Sequence, residues 1–375
     1  MTEQTHHNPE VLNRLASAFS VLPNPNKATP EDRESKTDKP AFGQVFSDSM
    51  VRMTWHKESG WSHGQVEPYG PLHLDPAAAV LHYAQEVFEG LKAYHREDGS
   101  IWLFRPDANA ERFKESARRL SLPELSTDDF LGAVAALVQQ DAQWVPTRRE
   151  YTLYLRPFMY ASEPFLGVRA PHQVDFCVIA SPSGPYFSGG VKPVSIWVEN
   201  RWFRTGPGGT GFAKCGGNYA ASLVGENRGS EHGCEQVCFV DAATGTYLEE
   251  LGGMNMFIVH RDGSLETPSL TGTILPGVTR RSLIQLAQDA GHEVRESMIR
   301  LDDLLEDIRS GEVTEVFACG TAAIVTPIKC FKSEAFDVTV ADGESGSLTM
   351  QLRNQLLGIQ LGEVTDLHNW MWKVC

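Results

Sequence analysis

The sequence predicts a two-domain α/β protein, with a smaller N-terminal α+β domain ahead of a larger, strand-rich C-terminal one. Its 375 residues suffice for roughly two domains at about 150 residues each, both able to bury a core without disulfides. Helix-period and strand-like runs alternate through the first half. Around Ser183–Gly190 the stretch SPSGPYFSGG breaks that alternation, and strands dominate beyond it.

Residues 1–38 are polar and proline-bearing, lack the apolar core of a signal peptide, and read as a flexible leader. The alternative there is a short amphipathic helix within Val11–Leu22, suited to a dimer contact or docking. Residues 39–183 form the small domain. Asp75 and Pro76 stand before an apolar-periodic run to about Tyr94, the cap and first position of a helix. Asp107 precedes a second helix with Phe113, Ala117 and Leu120 on one face. Ser126 precedes a third with Phe130, Val134, Leu137 and Val138. Ile101–Phe104, Leu153–Met159 and Val174–Ala180 are strands. Residues 184–200 form the interdomain linker region, running into a strand at Val194–Val198, and 201–375 the large domain. Strands are expected there at Gln236–Val240, Asn255–His260 and Glu315–Ala318. Helices are expected after Gly277, around Leu301–Ile308 and over Ser347–Leu361.

Composition excludes several functions. No apolar run approaches the ~20 residues of a membrane helix. A net charge of -15 repels phosphate backbones and argues against nucleic acid as a partner. The seven cysteines are scattered without a CxxC pair, so neither a disulfide framework nor a metal site is indicated, and a reducing cytoplasm fits.

The chemistry gathers around one lysine. In GGTGFAKCGGNYAAS, Gly208–Ser222, Lys214 stands among six glycines counted from Gly206, a density that implies close backbone approach to something. Gly206–Gly211 matches GxGxxG literally, but Pro207 and the glycines after Lys214 argue against the helix opening a dinucleotide site needs. A phosphate-binding Walker loop fails because Cys215, not Ser or Thr, follows the lysine. Imine formation with a carbonyl cofactor remains, since a desolvated ammonium loses its proton more readily. A glycine-rich surface loop with an incidental lysine is the competing reading. Glu250, in LEELGGMN, ends a strand where a carboxylate can meet a pyridinium nitrogen or simply sit in a turn. ILPGVTR, Ile274–Arg280, opens a helix whose Val278 and Thr279 N–H groups face an anion. GTAA, Gly320–Ala323, offers a second anion nest.

In this order and spacing the segments resemble the branched-chain aminotransferases, of the class IV pyridoxal-phosphate fold. FGQVFSDSM at Phe42–Met50, LHYAQEVFEGLKAY at Leu81–Tyr94, LYLRPFMYASEPFLGV at Leu153–Val168 and GPYF at Gly184–Phe187 extend the resemblance from about Lys39 to Gly362. It implies a C-terminal pseudo-barrel domain, a homodimer, and pyridoxal 5'-phosphate held between the domains. The implied reaction is reversible ping-pong transfer of the amino group from leucine, isoleucine or valine to 2-oxoglutarate, giving glutamate. A D-amino-acid aminotransferase, a β-elimination lyase or a silent binding protein on the same fold are the alternatives.

By the same resemblance, Lys214 carries the cofactor as a Schiff base and shuttles the α-proton. Arg112, in NAERFKESA, binds the phosphate with Val278, Thr279 and Thr321. Glu250 keeps the ring nitrogen protonated, and Tyr219 bonds the phenolic oxygen. Phe42, Tyr83, Phe88, Tyr154, Arg156 and Tyr186, with Thr321 and Ala322, surround the substrate. Tyr154 and Arg156 alternate on one strand and share a face, so Arg156 is expected to receive the distal carboxylate of glutamate. Leu166 and Val168 are either handed to the neighbouring subunit's pocket or plain core. Gly253 replaces a threonine common in relatives. A redox CxxC of mammalian relatives would fall at Ala323 and Thr326, so no thiol switch is expected there. Cys215 and Cys319 are expected to be packing thiols.

Overall fold

Along Thr152–Ala161 two kinds of side chain alternate. Leu153, Leu155, Met159 and Ala161 are fully buried, and between them come Thr152, Tyr154, Arg156, Phe158 and Tyr160. This strand pairs antiparallel with Gln173–Ser183 from Thr152↔Ser183 to Ala161↔Val174. The two form the middle of a ten-stranded sheet. From one edge the order is Ser20–Val21, Gln65–Pro68, Ser49–His56, Gln173–Ser183, Thr152–Ala161, Leu91–His95, Ile101–Phe104 and Met371–Lys373, with Gly60–Trp61 on Ser49–His56 and Glu86–Phe88 on Thr152–Ala161. The computed structural model describes residues 9–185 and 190–375. The chain divides into two units, one running to Pro185 and taking back Gly358–Cys375, the other Tyr186–Leu357.

Two helices cover the first unit's sheet. Pro106–Arg119 starts with proline at its first position and Asp107 in its first turn, and ends in Arg118 and Arg119, all favourable to the helix dipole. Thr127–Gln140 is capped by Ser126, whose hydroxyl accepts from the Asp129 N–H at 3.0 Å. Every residue from Phe130 to Val138 is buried in this second helix. Its outer side is covered by Pro9–Ala16, which buries Leu12 and Ala16. Gly132 permits the approach, since a Cβ there would stand 2.8 Å from the Leu15 carbonyl oxygen. Pro9–Ala16 is therefore packed rather than flexible, and a second helix, Pro30–Asp38, which buries no residue, follows behind a Thr29 cap.

Two further expectations are corrected. The helix expected from Asp75 to Tyr94 is only Ala79–Tyr83; Ala84 turns left-handed at φ 47° and stops it. Glu86–Phe88 and Leu91–His95 then pair with Thr152–Ala161, because buried Val87, Leu91 and Ala93 gain more from the sheet than their helical spacing offers. The residues after Leu357 belong to the first unit, where Met371–Lys373 pairs with Ile101–Phe104. The strand expected at Val194–Val198 forms as Val194–Glu199, flanked on both sides by parallel partners.

The second unit holds a nine-stranded sheet, Leu248–Leu251, Gln236–Val240, Val194–Glu199, Ile324–Lys332, Val313–Gly320, Asn255–His260, Leu265–Pro268 and Val294–Ser297, with Asp337–Thr339 on Ile324–Lys332. The expected pseudo-barrel is a curled half-barrel. Ile324–Lys332 makes the curl possible by changing partners: Ile324–Pro327 pairs antiparallel with Phe317–Gly320, and Ile328 onward pairs parallel with Val194–Trp197. Pro327, which cannot donate to a ladder, stands at the change. One face buries Ile196, Val198, Met256, Ile258, Val316 and Phe331 against Leu304, Leu305 and Ile308 of the helix Leu301–Ser310.

Candidate active site

In the second unit the loop before Lys214 is tied from both sides. The Asn218 amide donates to the carbonyls of Thr210 at 2.8 Å and Ala213 at 2.9 Å, and the Thr210 hydroxyl donates back at 2.6 Å. Arg204 donates to the carbonyl of Thr273 at 3.1 Å and, more weakly, to that of Gly211 at 3.4 Å. A Cβ at Gly211 would overlap the Thr273 backbone, so only glycine lets the two strands of loop meet. The helix Gly216–Glu231 starts directly after Cys215 with no side-chain cap. That helix corrects the expectation that the glycines after Lys214 oppose a helix opening, although none begins at Gly211 and the dinucleotide reading still fails. Tyr219 lies in its first turn, and Lys214 Nζ donates to the Tyr219 hydroxyl at 2.6 Å.

Glu250 lies on the strand Leu248–Leu251 and is almost fully buried. Burial pushes its carboxyl up to about 7, opposed by Arg204, whose Nη1 is 3.0 Å away, and by the Leu275 N–H at 2.8 Å. Asn255 bridges Glu250 at 3.3 Å and the Leu275 carbonyl at 3.0 Å. A Cβ at Gly277 would overlap Asn255 Oδ1, so glycine brings the start of the helix Val278–Asp289 against this network. That start carries Val278 and Thr279 and has no side-chain cap, which leaves its first N–H groups to an anion. Thr321 and Ala322 lie in the hairpin between Gly320 and Ile324. Ile324 takes φ 63°, a strained value for a β-branched residue. A Cβ at Gly253 would meet Tyr219 Cε1 at an ordinary 3.8 Å, so there is room for a larger residue. Cys215 and Cys319 are buried, and burial pushes the Cys319 thiol up to about 12.

In the first unit Arg112 is buried, with Nε 2.7 Å from Glu89 Oε1 and Nη2 2.9 Å from Oε2. Glu89 also accepts from Asn109 at 2.7 Å and from the Gly90 N–H at 3.1 Å. Arg156 Nη2 donates to the Tyr154 hydroxyl at 3.1 Å, so the two share a face. The Arg156 guanidinium lies 4.7 Å from the Phe88 ring centroid, and Phe42 packs edge-on to Tyr154 at 4.9 Å. The Tyr83 hydroxyl donates to the Leu166 carbonyl. Leu166 and Val168 are 61% and 87% exposed, which rules out plain core. Tyr186 lies outside the described residues.

Sequence reasoning missed Glu89, Arg204 and Asn255. Asn255 and Glu89 stand inside the motifs LEELGGMN and LHYAQEVFEGLKAY, but neither motif marks them as partners of Glu250 and Arg112. Nothing local marked Arg204.

Residues 86–331 match the family described as amino-transferase class IV. The chain belongs to the class IV aminotransferase family. It is 51% identical to the branched-chain-amino-acid aminotransferase of Mycolicibacterium smegmatis, over 94% of this chain and 97% of that one. Its structure is similar to that of the Escherichia coli branched-chain amino acid aminotransferase, with a TM-score of 0.72 and 27% identity, covering 86% of this chain and 99% of the other. The T.th. branched-chain amino acid aminotransferase complexed with N-(5'-phosphopyridoxyl)-L-glutamate gives 0.70 and 26%, covering 86% and 98%.

Proposed function

We propose that the protein is a pyridoxal-phosphate-dependent branched-chain-amino-acid aminotransferase, exchanging the amino group between leucine, isoleucine or valine and 2-oxoglutarate. The observation that carries the reading is Lys214 Nζ at 2.6 Å from the Tyr219 hydroxyl, in a unit that also buries Glu250 and presents an uncapped helix start at Val278. This donor set fits the cofactor. An amine suits its aldehyde, a buried carboxyl its ring nitrogen, a phenol its ring oxygen, and free N–H groups its phosphate. The named relatives, similar over nearly the whole chain, support the substrate class.

When bound, pyridoxal phosphate supplies an electron sink that lets the hydrogen beside an amino group leave as a proton. Lys214 Nζ anchors the cofactor and, once released by substrate, takes and returns that proton. Tyr219 orients Nζ. Glu250, raised toward neutrality by its burial, is suited to hold a proton on the ring-nitrogen side, with Arg204 limiting how far it rises. Val278, Thr279, Thr321 and Arg112 are assigned to the phosphate, and Phe42, Tyr83, Phe88, Tyr154, Tyr186 and Ala322 to the aliphatic substrate. Arg156 is assigned to the distal carboxylate of glutamate. The reading also makes the protein a cytoplasmic homodimer. Its cysteines form no disulfide among the described residues, and exposed Leu166 and Val168 suit a partner's pocket.

The test is the visible spectrum of the holoenzyme before and after excess L-leucine, then after 2-oxoglutarate. A band that bleaches and returns supports both half-reactions. A band indifferent to leucine overturns the substrate class, and no band after added cofactor overturns Lys214.

A further inference from the structure

Glu249 precedes Glu250 on the edge strand Leu248–Leu251 and is buried like it, yet no step of the proposed reaction uses it. Successive strand residues point to opposite faces. Here Leu251 is opposite Cys238 and Leu248 opposite Val240, so four residues face three and one is extra. Such a bulge re-aims side chains, and both carboxyls meet the same stretch of loop. Glu250 accepts from the Leu275 N–H at 2.8 Å, and Glu249 Oε1 accepts from the Thr273 hydroxyl at 2.5 Å. The second distance is the length of a hydroxyl bond to an ionised carboxylate. Thr273 gives its one proton to Glu249, so the exposed Thr271 supplies the proton of the 2.8 Å bond between the two threonine hydroxyls. This chain of hydroxyls favours a Glu249 that has lost its proton.

Glu250 has no such chain, and its cation is divided. Arg204 Nη1, 3.0 Å from Glu250 Oε1, also donates to the Thr273 carbonyl at 3.1 Å, and Arg204 Nε is buried without a hydrogen-bond partner. This is not the bidentate fork that fixes a carboxylate as an anion. Burial opposes charge on both carboxyls and Arg204 favours it on both, so the two do not ionise independently. Of the other groups bearing on the pair, Lys214 favours charge on Glu250, and Asp241, just after Gln236–Val240, opposes it on Glu249. The thiols of Cys238 and Cys319 are pushed up to about 12 by burial and stay neutral. We infer that Glu249 is a positioning residue for the proposed reaction: sharing Arg204 with Glu250, its carboxylate keeps the proton of the pair on Glu250, the group assigned to the ring nitrogen. The inference deepens the proposed function and rests on that assignment of Glu250, whereas the coupling of the two carboxyls is independent of it.

The test measures unfolding free energies of the full chain without cofactor, by urea titration from pH 4.5 to beyond 7, in wild type, Glu249→Gln, Glu250→Gln and the double variant. At each pH the difference made by Glu250→Gln reports the Glu250 titration, once beside the native Glu249 and once in the Glu249→Gln background. Glutamine keeps an acceptor for the Thr273 hydroxyl, so charge is lost and shape retained. Burial raises Glu250 from 4.5 to about 7, so the stability it contributes falls as pH rises and the fall ends at the upper value. In the Glu249→Gln background that fall is expected to end about one pH unit lower, the scale on which a like charge moves a neighbouring carboxyl. A Glu249 that only packs lowers stability at every pH and leaves the end of the fall where it was; that result, or a move to higher pH, overturns the inference. Thr273→Val withdraws the hydroxyl from the Glu249 carboxylate and is expected to move the fall the same way by less, with Thr273→Ser restoring it. Should Glu249→Gln fail to fold, Thr273→Val decides alone, and an unmoved fall there overturns the inference. Failure of the proposed function reads separately: if the holoenzyme band is indifferent to leucine while the fall still moves, the reaction is overturned and the coupling stands.

Discussion

The two clusters that carry the proposed chemistry are built on different principles. Around Lys214 and Glu250 the second unit works largely with backbone: a glycine loop folded against Thr273, two uncapped helix starts and a strand carboxylate. Around Arg112 and Arg156 the first unit works with side chains held by other side chains, Glu89 for one and Tyr154 for the other. Backbone groups are fixed wherever the fold is fixed and need no partner to aim them. Long cationic side chains must be restrained before they can recognise anything, and the first unit supplies that restraint from within itself. The lesson is that the second cluster should be sensitive chiefly to loss of a reacting atom, and the first to loss of a neighbour.

The largest expected effect tests the first half of that statement. Lys214→Ala removes the amine and should reduce turnover at least about a thousandfold in both half-reactions, checked by steady-state assay with glutamate and with leucine. Retention of either half-reaction would break the assignment. The next tests the second half. Glu89→Ala leaves the Arg112 guanidinium buried without its bidentate partner, for which about 3–5 kcal/mol of stability is expected to be lost. Urea unfolding of the purified variant measures this, and a cost below about 1 kcal/mol would mean that the pair does not restrain Arg112.

The same division explains what could be read from the sequence. Backbone devices leave local marks, so Gln236–Val240, Asn255–His260 and Ser347–Leu361 form over the residues whose periodicity suggests them. The helix opening at Val278 follows ILPG for the same reason. Side-chain restraint leaves no local mark: nothing near Arg204 announces Glu250, and nothing near Arg112 announces Glu89. The run from Asp75 to Tyr94 misleads because helical spacing of apolar residues is satisfied equally by burial in two successive strands. Pro9–Ala16 was hard to distinguish from a loose leader, since a short helix gains its stability from the helix it packs against.

The smallest expected effect isolates what burial does to Glu250. In the unfolded chain its carboxyl titrates near the ordinary 4.5, whereas in the folded protein burial raises it to about 7. Between those values the native state holds a proton that the unfolded state has lost. The stability this group contributes is therefore fully present below the lower value and is lost as pH rises through the upper one. Glu249, also raised by burial, acts in the same direction, and Arg204 and Lys214 oppose the rise at Glu250. Glu250→Gln removes only one of these groups while keeping an acceptor for the Leu275 N–H, so the difference between wild type and variant cancels the rest. Without cofactor, the unfolding free energy of the wild type measured by urea titration should fall relative to that of Glu250→Gln as pH goes from 4.5 to 7, by at most about 1.4 kcal/mol per pH unit. A constant difference across that window would mean that Arg204 fully compensates the burial. The second cluster would then rest on side-chain restraint just as the first does.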